Sequence, residues 1–180
     1  MVALVTGASS GIGRDIAREL AKRNYNIIAV ARNKDELNKL KLELEEQYKI
    51  SVEVIAMDLT DREGCINLHK NVKEKYGTID ILVNDAGFGT CGKFVDTDLE
   101  KEIKMIDTNI VALHILTKLF LLDMCKENKG RILNVASIAG FMPGPLMATY
   151  YSTKAYIVRI SEAIREELRR EKSNVQISIL

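Results

Sequence analysis

Tyr150 and Lys154 stand four residues apart at the start of a run with helical periodicity, so both side chains leave the same face. A free tyrosine titrates at about 10, too high to exchange protons efficiently at neutral pH. An ammonium held beside it favours the phenolate, which makes the pair a plausible acid/base unit. The same two residues would also serve as an ordinary amphipathic helix surface, and Tyr151, three residues from Lys154, is placed less well for the role. Ser137 follows a strand-like run, at the carboxyl end of the sheet where open α/β folds bind ligands. Its hydroxyl can donate to a substrate oxygen, or simply start a turn. Asn109 interrupts a long helical run that asparagine disfavours; either its amide is in use or it is an exposed polar residue. His69, His114 and the three cysteines show no metal-ligand spacing, so no metal site and no cysteine nucleophile is expected.

A second group of residues has the chemistry to hold phosphate. The apolar stretch Val2-Ala3-Leu4-Val5 runs through Thr6 into Gly7-Ala8-Ser9-Ser10-Gly11-Ile12-Gly13, and a helix-like run follows. Glycines let such a loop turn and approach a ligand closely, while the helix start offers free N–H groups and a partial positive charge. The spacing is G-x-x-x-G-x-G, a different branch of the dinucleotide-binding folds from G-x-G-x-x-G. Arg32 ends the next strand-like run, where such folds meet the adenosine ribose. With Ala31 and Arg32 supplying no carboxylate and one cation, the position favours NADP over NAD, unless Arg32 is merely a surface arginine.

Strand-like and helix-like segments alternate along the chain, which predicts a three-layer α/β/α domain: a doubly wound, Rossmann-like parallel sheet with helices on both faces. Strands are expected at 2–6, 26–31, 51–57, 79–83, 131–136 and 175–180. Helices are expected from 14 to 24, 34 to about 48, 60 to about 76, 97 to about 126 and 150 to 171. Asn33/Glu36, Thr60/Glu63 and Thr97/Glu100 have capping-box spacing. At 180 residues the chain fills one domain, 1–180, with no repeat or linker. The net charge of +1, with acids and bases interleaved, gives no electrostatic footprint for nucleic acid or an anionic membrane. The run 110–124 is too short and too interrupted by His114, Lys118 and Asp123 for a membrane span. With no signal peptide read at the start, the odd, scattered cysteines fit reduced thiols and a cytoplasmic location.

These pieces, in this order, resemble the short-chain dehydrogenase/reductase family in its compact single-domain branch. Thr6–Gly13 reads as that family's TGxxxGIG cofactor loop, Asn84–Gly87 matches its NNAG segment, and Asn109, Ser137, Tyr150 and Lys154 match its Asn-Ser-Tyr-Lys set. The resemblance implies an NADP(H)-dependent oxidoreductase moving hydride between nicotinamide and a carbonyl or alcohol. Tyr150 would protonate the carbonyl oxygen, Lys154 would bond the nicotinamide ribose and keep Tyr150 acidic, Ser137 would hold the substrate oxygen, and Asn109 would anchor a water linking Lys154 to solvent. It also implies cofactor contacts from Gly7, Ser9, Ser10, Gly11, Ile12, Gly13, Arg32, Asp58, Leu59, Asn84, Ala86 and Gly87, besides Tyr150 and Lys154, with Asp58 at the adenine. The helices near 99–126 and 150–171 are expected to pair copies into a homodimer or homotetramer.

Two departures from the family pattern stand out. Asp85 replaces its second asparagine, putting a carboxylate where repulsion weakens cofactor binding, so the backbone of Ala86 and Gly87 is expected to do most of the work. The family also continues past a sixth strand with a substrate-covering segment and a seventh strand, which predicts a cofactor cleft without its lid and with one bare sheet edge. A non-catalytic nucleotide-binding redox sensor or interaction protein is the alternative, with an epimerase or dehydratase disfavoured by the glycine spacing. The apolar loop 141–147, with Phe88 near it, leans toward a hydrophobic carbonyl substrate, or toward packing under the lid.

Overall fold

A computed structural model describes all 180 residues. Six parallel strands, β1 (Val2–Thr6), β2 (Asn26–Ala31), β3 (Val52–Ala56), β4 (Ile81–Asn84), β5 (Arg131–Asn134) and β6 (Gln176–Ile179), lie in the order β3-β2-β1-β4-β5-β6. The order reverses beside β1, between β2 and β4, which is the switch point where doubly wound sheets open a crevice. Alternation along β1 sorts the core into two layers. Leu4 points to the face carrying Ile28, Leu82 and Ile132; Ala3 and Val5 point to the face carrying Ala29 and Val83.

Helices α1 (Gly11–Lys22) and α2 (Lys34–Tyr48) cover the second face over β1–β3, burying Ala17, Ala21, Leu37, Leu40 and Leu44. The first face is covered by α3 (Arg62–Tyr76), α5 (Leu113–Glu127) and α6 (Ala148–Arg170), which contribute Leu68, Val72, Leu116, Phe120, Met124 and Leu168. No helix lies over β5 and β6 on the second face, where Leu133 is only half-buried, and β6 forms one edge of the sheet.

The helix starts correct two of the three expected capping boxes. Asn33 does cap α2, accepting from the Glu36 amide at 3.2 Å. For α3 the cap is Asp61, accepting from Gly64 N at 2.9 Å, and for α4 (Leu99–Ile106) it is Asp98, accepting from Lys101 N at 2.8 Å. Each lies one residue after the threonine expected there. A carboxylate both satisfies the free N–H groups and complements the positive helix end, so it outcompetes the neighbouring hydroxyl. Thr97 instead donates to the Glu102 carboxylate at 2.6 Å.

The long helix expected from 97 is three pieces: α4, a π-helical turn at Asp107–Ala112, and α5. Counted as one helix, Leu99–Glu127 is long and apolar enough to cross a bilayer, which the shorter run 110–124 does not show. Part of that apolarity is spent on the core, through Leu116, Phe120 and Met124, and Asp123 is held within α5 between His69 (2.8 Å) and Lys73 of α3.

A buried polar bridge crosses the same face. Asn84 Nδ2 donates to Asn134 Oδ1 at 2.9 Å and Thr117 Oγ1 at 3.0 Å, while Asn134 Nδ2 donates to Ser161 Oγ at 2.9 Å. It ties the ends of β4 and β5 to α5 and α6, at the edge where the site lies. Asn134→Ala strands the partners at both ends, so it should cost about 2–3 kcal/mol of stability, read as a lower urea midpoint with an unchanged m-value.

Candidate active site

The turn after β1 is built by close backbone approach. Gly7 has φ +73°, and a Cβ there would lie 2.9 Å from Ala86 N. A Cβ at Gly13 would fall 2.7 Å from the Gly7 carbonyl oxygen. Thr6 locks the turn to the end of β4, its Oγ1 accepting from Asp85 N at 3.1 Å and Ala86 N at 3.2 Å. Gly11, at φ +55°, is different: a Cβ there meets nothing within 4 Å, so the N-terminal turn of α1 faces open space. That space is a cleft of about 380 Å³, lined by Gly7, Ser9, Ser10, Gly11 and Ile12 on one side and Ala86 and Gly87 on another. Ala31, Arg32, Asn33, Met57, Asp58 and Leu59 line its far end. Glycine turn, open helix start and an end with the Arg32 cation fit a dinucleotide diphosphate and an adenosine ribose.

Of the residues expected at a cofactor, Gly7, Ser9, Ser10, Gly11, Ile12, Arg32, Asp58, Leu59, Ala86 and Gly87 line this cleft, while Gly13, Asn84, Tyr150 and Lys154 do not. Asn84 turns its side-chain amide into the interior bridge, because the buried Asn134 and Thr117 offer it hydrogen bonds there; its backbone carbonyl accepts from Val135 N. Gly13 lies beneath the turn, packed on Gly7, and acts by allowing the helix to sit close rather than by lining the cleft. Residues not expected at a cofactor also line it, among them Met57, Asn33 and Thr108.

Beyond Gly87 the loop threads between the two side chains expected to do chemistry. Asn109 grips the Phe88 peptide from both sides: Oδ1 accepts from Phe88 N at 3.1 Å, and Nδ2 donates to Phe88 O at 2.9 Å. The same Nδ2 reaches Thr153 Oγ1 at 3.1 Å, and Thr153 donates to the Tyr150 carbonyl at 2.7 Å. The π-helical turn carries Asn109, which explains an asparagine in a helical run. A Cβ at Gly89 would lie 2.9 Å from Tyr150 Cδ2, so the tyrosine ring rests directly on this glycine. The partnership of Asn109 with Phe88 and of Gly89 with Tyr150 was not legible in the sequence, since each pair is far apart in the chain.

Lys154 is 6% exposed and donates from Nζ to the Val135 carbonyl at 2.9 Å, just past β5. Its Nζ lies 5.9 Å from the centroid of the Tyr150 ring. Burial pushes its ammonium below the ordinary lysine range, and the Asp85 carboxylate works against that. Burial likewise pushes the Asp85 carboxyl up, opposed by hydrogen bonding from the Gly13 amide and by the Lys154 charge. Ser137 opens a short 3₁₀ turn, Ile138–Phe141, its Oγ accepting from Ala139 N at 3.1 Å, which leaves the O–H free to donate. Tyr150 and Lys154 therefore stand at the carboxyl end of the sheet, with Lys154 anchored there by Val135.

Across residues 1–180 the chain matches the family model described as short chain dehydrogenase, and it belongs to that family. It is 39% identical over 170 residues to an oxidoreductase of Staphylococcus epidermidis, covering 94% of this chain and 72% of that protein. It is 34% identical over 180 residues to the human very-long-chain 3-oxoacyl-CoA reductase, spanning 97% of this chain but 56% of that enzyme. Among solved structures, a metagenomic short-chain oxidoreductase in complex with NADP superposes with a TM-score of 0.93 at 30% identity, over 99% of this chain and 80% of that one. A bulky-bulky ketone specific alcohol dehydrogenase from Comamonas testosteroni gives 0.90 at 32% identity, over 99% and 71%.

The glycines of the turn carry distinct loads. Gly13→Ala drives a methyl into the Gly7 backbone and should cost about 3 kcal/mol and abolish nucleotide binding. Gly11→Ala meets open space and only backbone strain, about 1–2 kcal/mol. Thermal melts of the two variants, with nucleotide titrations, check the contrast.

Proposed function

We propose that the protein is an NADP(H)-dependent carbonyl reductase or alcohol dehydrogenase. The observation that carries this is the buried Lys154 ammonium, fixed by Val135 O and held 5.9 Å from the Tyr150 ring beside a glycine-turn cleft. A nicotinamide dinucleotide in that cleft supplies the hydride. The chain's own residues supply position and the proton. Gly7, Ser9, Ser10 and Gly11 face the diphosphate, Asp58 and Leu59 the adenine, and Arg32 a 2′-phosphate. Arg32 is exposed at the end of β2 with no carboxylate on Ala31 or Asn33, a setting that attracts the extra phosphate rather than repelling it.

For the reaction, Ser137 donates its free O–H to the substrate oxygen, and Tyr150 Oη delivers the proton to it. No protein group competes for Tyr150 Oη through a hydrogen bond, and the Lys154 charge offsets the negative charge left there when the proton goes. Asn109 serves this arrangement by holding both the Phe88 peptide and Thr153, so the loop under Tyr150 keeps its place. Alcohol oxidation runs the same proton path backwards. The substrate end carries exposed Phe141, Met142 and Leu146, and Gly92 N bonds the Leu146 carbonyl at 2.8 Å, joining the two loops that flank it. An apolar ketone or acyl substrate fits that surface. The exposed Ile103 and Leu122 support pairing of copies through α4 and α5, and the free thiols of Cys65, Cys91 and Cys125 suit a reducing, cytoplasmic setting.

Tyr150→Phe should keep NADPH affinity within about twofold and lower turnover about 10²–10⁴-fold on a panel of apolar carbonyl compounds, followed by nicotinamide absorbance. Full turnover by this variant refutes the proton-donor role; NADPH binding by the wild type with no turnover on any carbonyl favours a nucleotide sensor. Arg32→Glu should move the preference between NADPH and NADH by roughly tenfold or more toward NADH, read from the two dissociation constants.

A further inference from the structure

Asp85 is the one carboxylate built into the floor of the glycine turn. Its Oδ2 lies 2.6 Å from where a Cβ of Gly13 would stand and 3.0 Å from one at Gly7, so it fills the space that the two missing side chains leave. It also lines the cleft, beside Ser9, Ser10 and Gly11, the residues that face a diphosphate. The charged group bearing on it is the Lys154 ammonium from α6, and from the start of α1 it meets the Gly13 N–H; the neutral Thr6 hydroxyl of β1 bonds the Asp85 backbone N–H rather than the carboxyl. Arg32 and Asp58, the other charged residues lining the cleft, belong to its adenosine end. A diphosphate above this carboxyl therefore meets a like charge below the very N–H groups that attract it.

We infer that Asp85 makes nucleotide binding proton-linked: the turn takes up the diphosphate together with one proton from solvent, held on the Asp85 carboxyl. This rests on the cleft being a dinucleotide site, and it adds a positioning residue that senses pH. The neutral carboxyl can donate to a neighbouring carbonyl or phosphate oxygen, whereas the carboxylate can only repel the phosphate. Burial already favours the proton on this group before any ligand arrives. By linkage, affinity falls as pH rises through the range where the free protein loses that proton, by up to tenfold per pH unit. Stability has the same sign, since a carboxyl held above its unfolded range contributes most at low pH and loses its contribution as pH rises through the folded value.

The test compares wild type with Asp85→Asn, an isosteric amide that cannot ionise. NADPH and NADH dissociation constants are measured by fluorescence from pH 5 to pH 9, and proton uptake by calorimetry in buffers of different ionisation enthalpy. The expected result is tighter binding by the variant at high pH, a pH slope smaller by up to one proton, and correspondingly less proton uptake. Titration of the 2′-phosphate is common to both proteins and cancels in the difference. Equal slopes and equal uptake in the two proteins overturn the proton link while leaving the nucleotide site intact. Failure of both proteins to bind either nucleotide at any pH overturns the site itself and the link with it. If Asp85→Asn fails to fold, Asp85→Ser supplies the same comparison; a full wild-type slope retained in it is equally fatal.

Discussion

The architecture of the site depends on how closely the turn after β1 can lie on the turn after β4. Parallel strands 4.7–4.9 Å apart leave little room where their chains leave the sheet, and both chains here turn at the same level. Thr6 and Asn84 are in register, so Gly7 and Asp85 emerge side by side. Two glycines solve the crowding by having no Cβ to collide with Ala86 or with the Gly7 carbonyl. The Thr6 hydroxyl then accepts from the Asp85 and Ala86 amides, which would otherwise lack partners at the carboxyl end of the sheet. The floor of the cleft follows from this contact, and so does the short path from the glycine turn to Lys154.

The reacting half is assembled by a second device, the Asn109 amide. A helix of uniform pitch leaves no backbone slack, whereas the π-helical turn at Asp107–Ala112 inserts extra chain at the level of the loop after β4. Asn109 is fully buried there, and its side-chain hydrogen bonds go to two other segments: the Phe88 peptide and the Thr153 hydroxyl. One side chain thereby connects the loop to α6 at the turn that begins with Tyr150. Gly87 and Gly89 are the corollary, since Asn109 presses on one and the Tyr150 ring on the other.

Local rules made the sheet and the helices readable, because alternation and 3.6-residue periodicity are written in adjacent residues. Asn33 as a cap and the glycine turn after β1 both express preferences of short segments. The errors came where two local signals competed within one residue, as at Thr60 against Asp61 and Thr97 against Asp98. Asn84 shows another limit. Its type and position suit a ligand contact, yet the direction of its side chain is decided by Asn134 and Thr117, 50 and 33 residues away. The π-helical turn was signalled only by the presence of Asn109 in an apolar helix, which reveals that something is unusual but not which bond is rearranged.

The two ends of the site are held to different standards of rigidity, and that division bears on how substrate choice can vary. The glycine-turn end is fixed by backbone contact and buried amides, so an atom added at Gly7, Gly13 or Gly87 collides. The other end rests on the 138–147 segment, where Ile138, Phe141, Met142 and Leu146 are all exposed and Leu146 itself sits at φ +66°. A left-handed leucine costs roughly 1–2 kcal/mol that no buried contact of its own side chain returns. Its carbonyl, however, is what Gly92 N bonds, so the strained residue is kept by a bond between two loops rather than by a core. Exposed Ile138, Phe141, Met142 and Leu146 side chains lie on the surface of this segment, whereas Gly140 packs on the Lys154 backbone and admits no side chain. The exposed apolar surface of this segment can thus vary more freely than the glycine turn and the Asn109 grip.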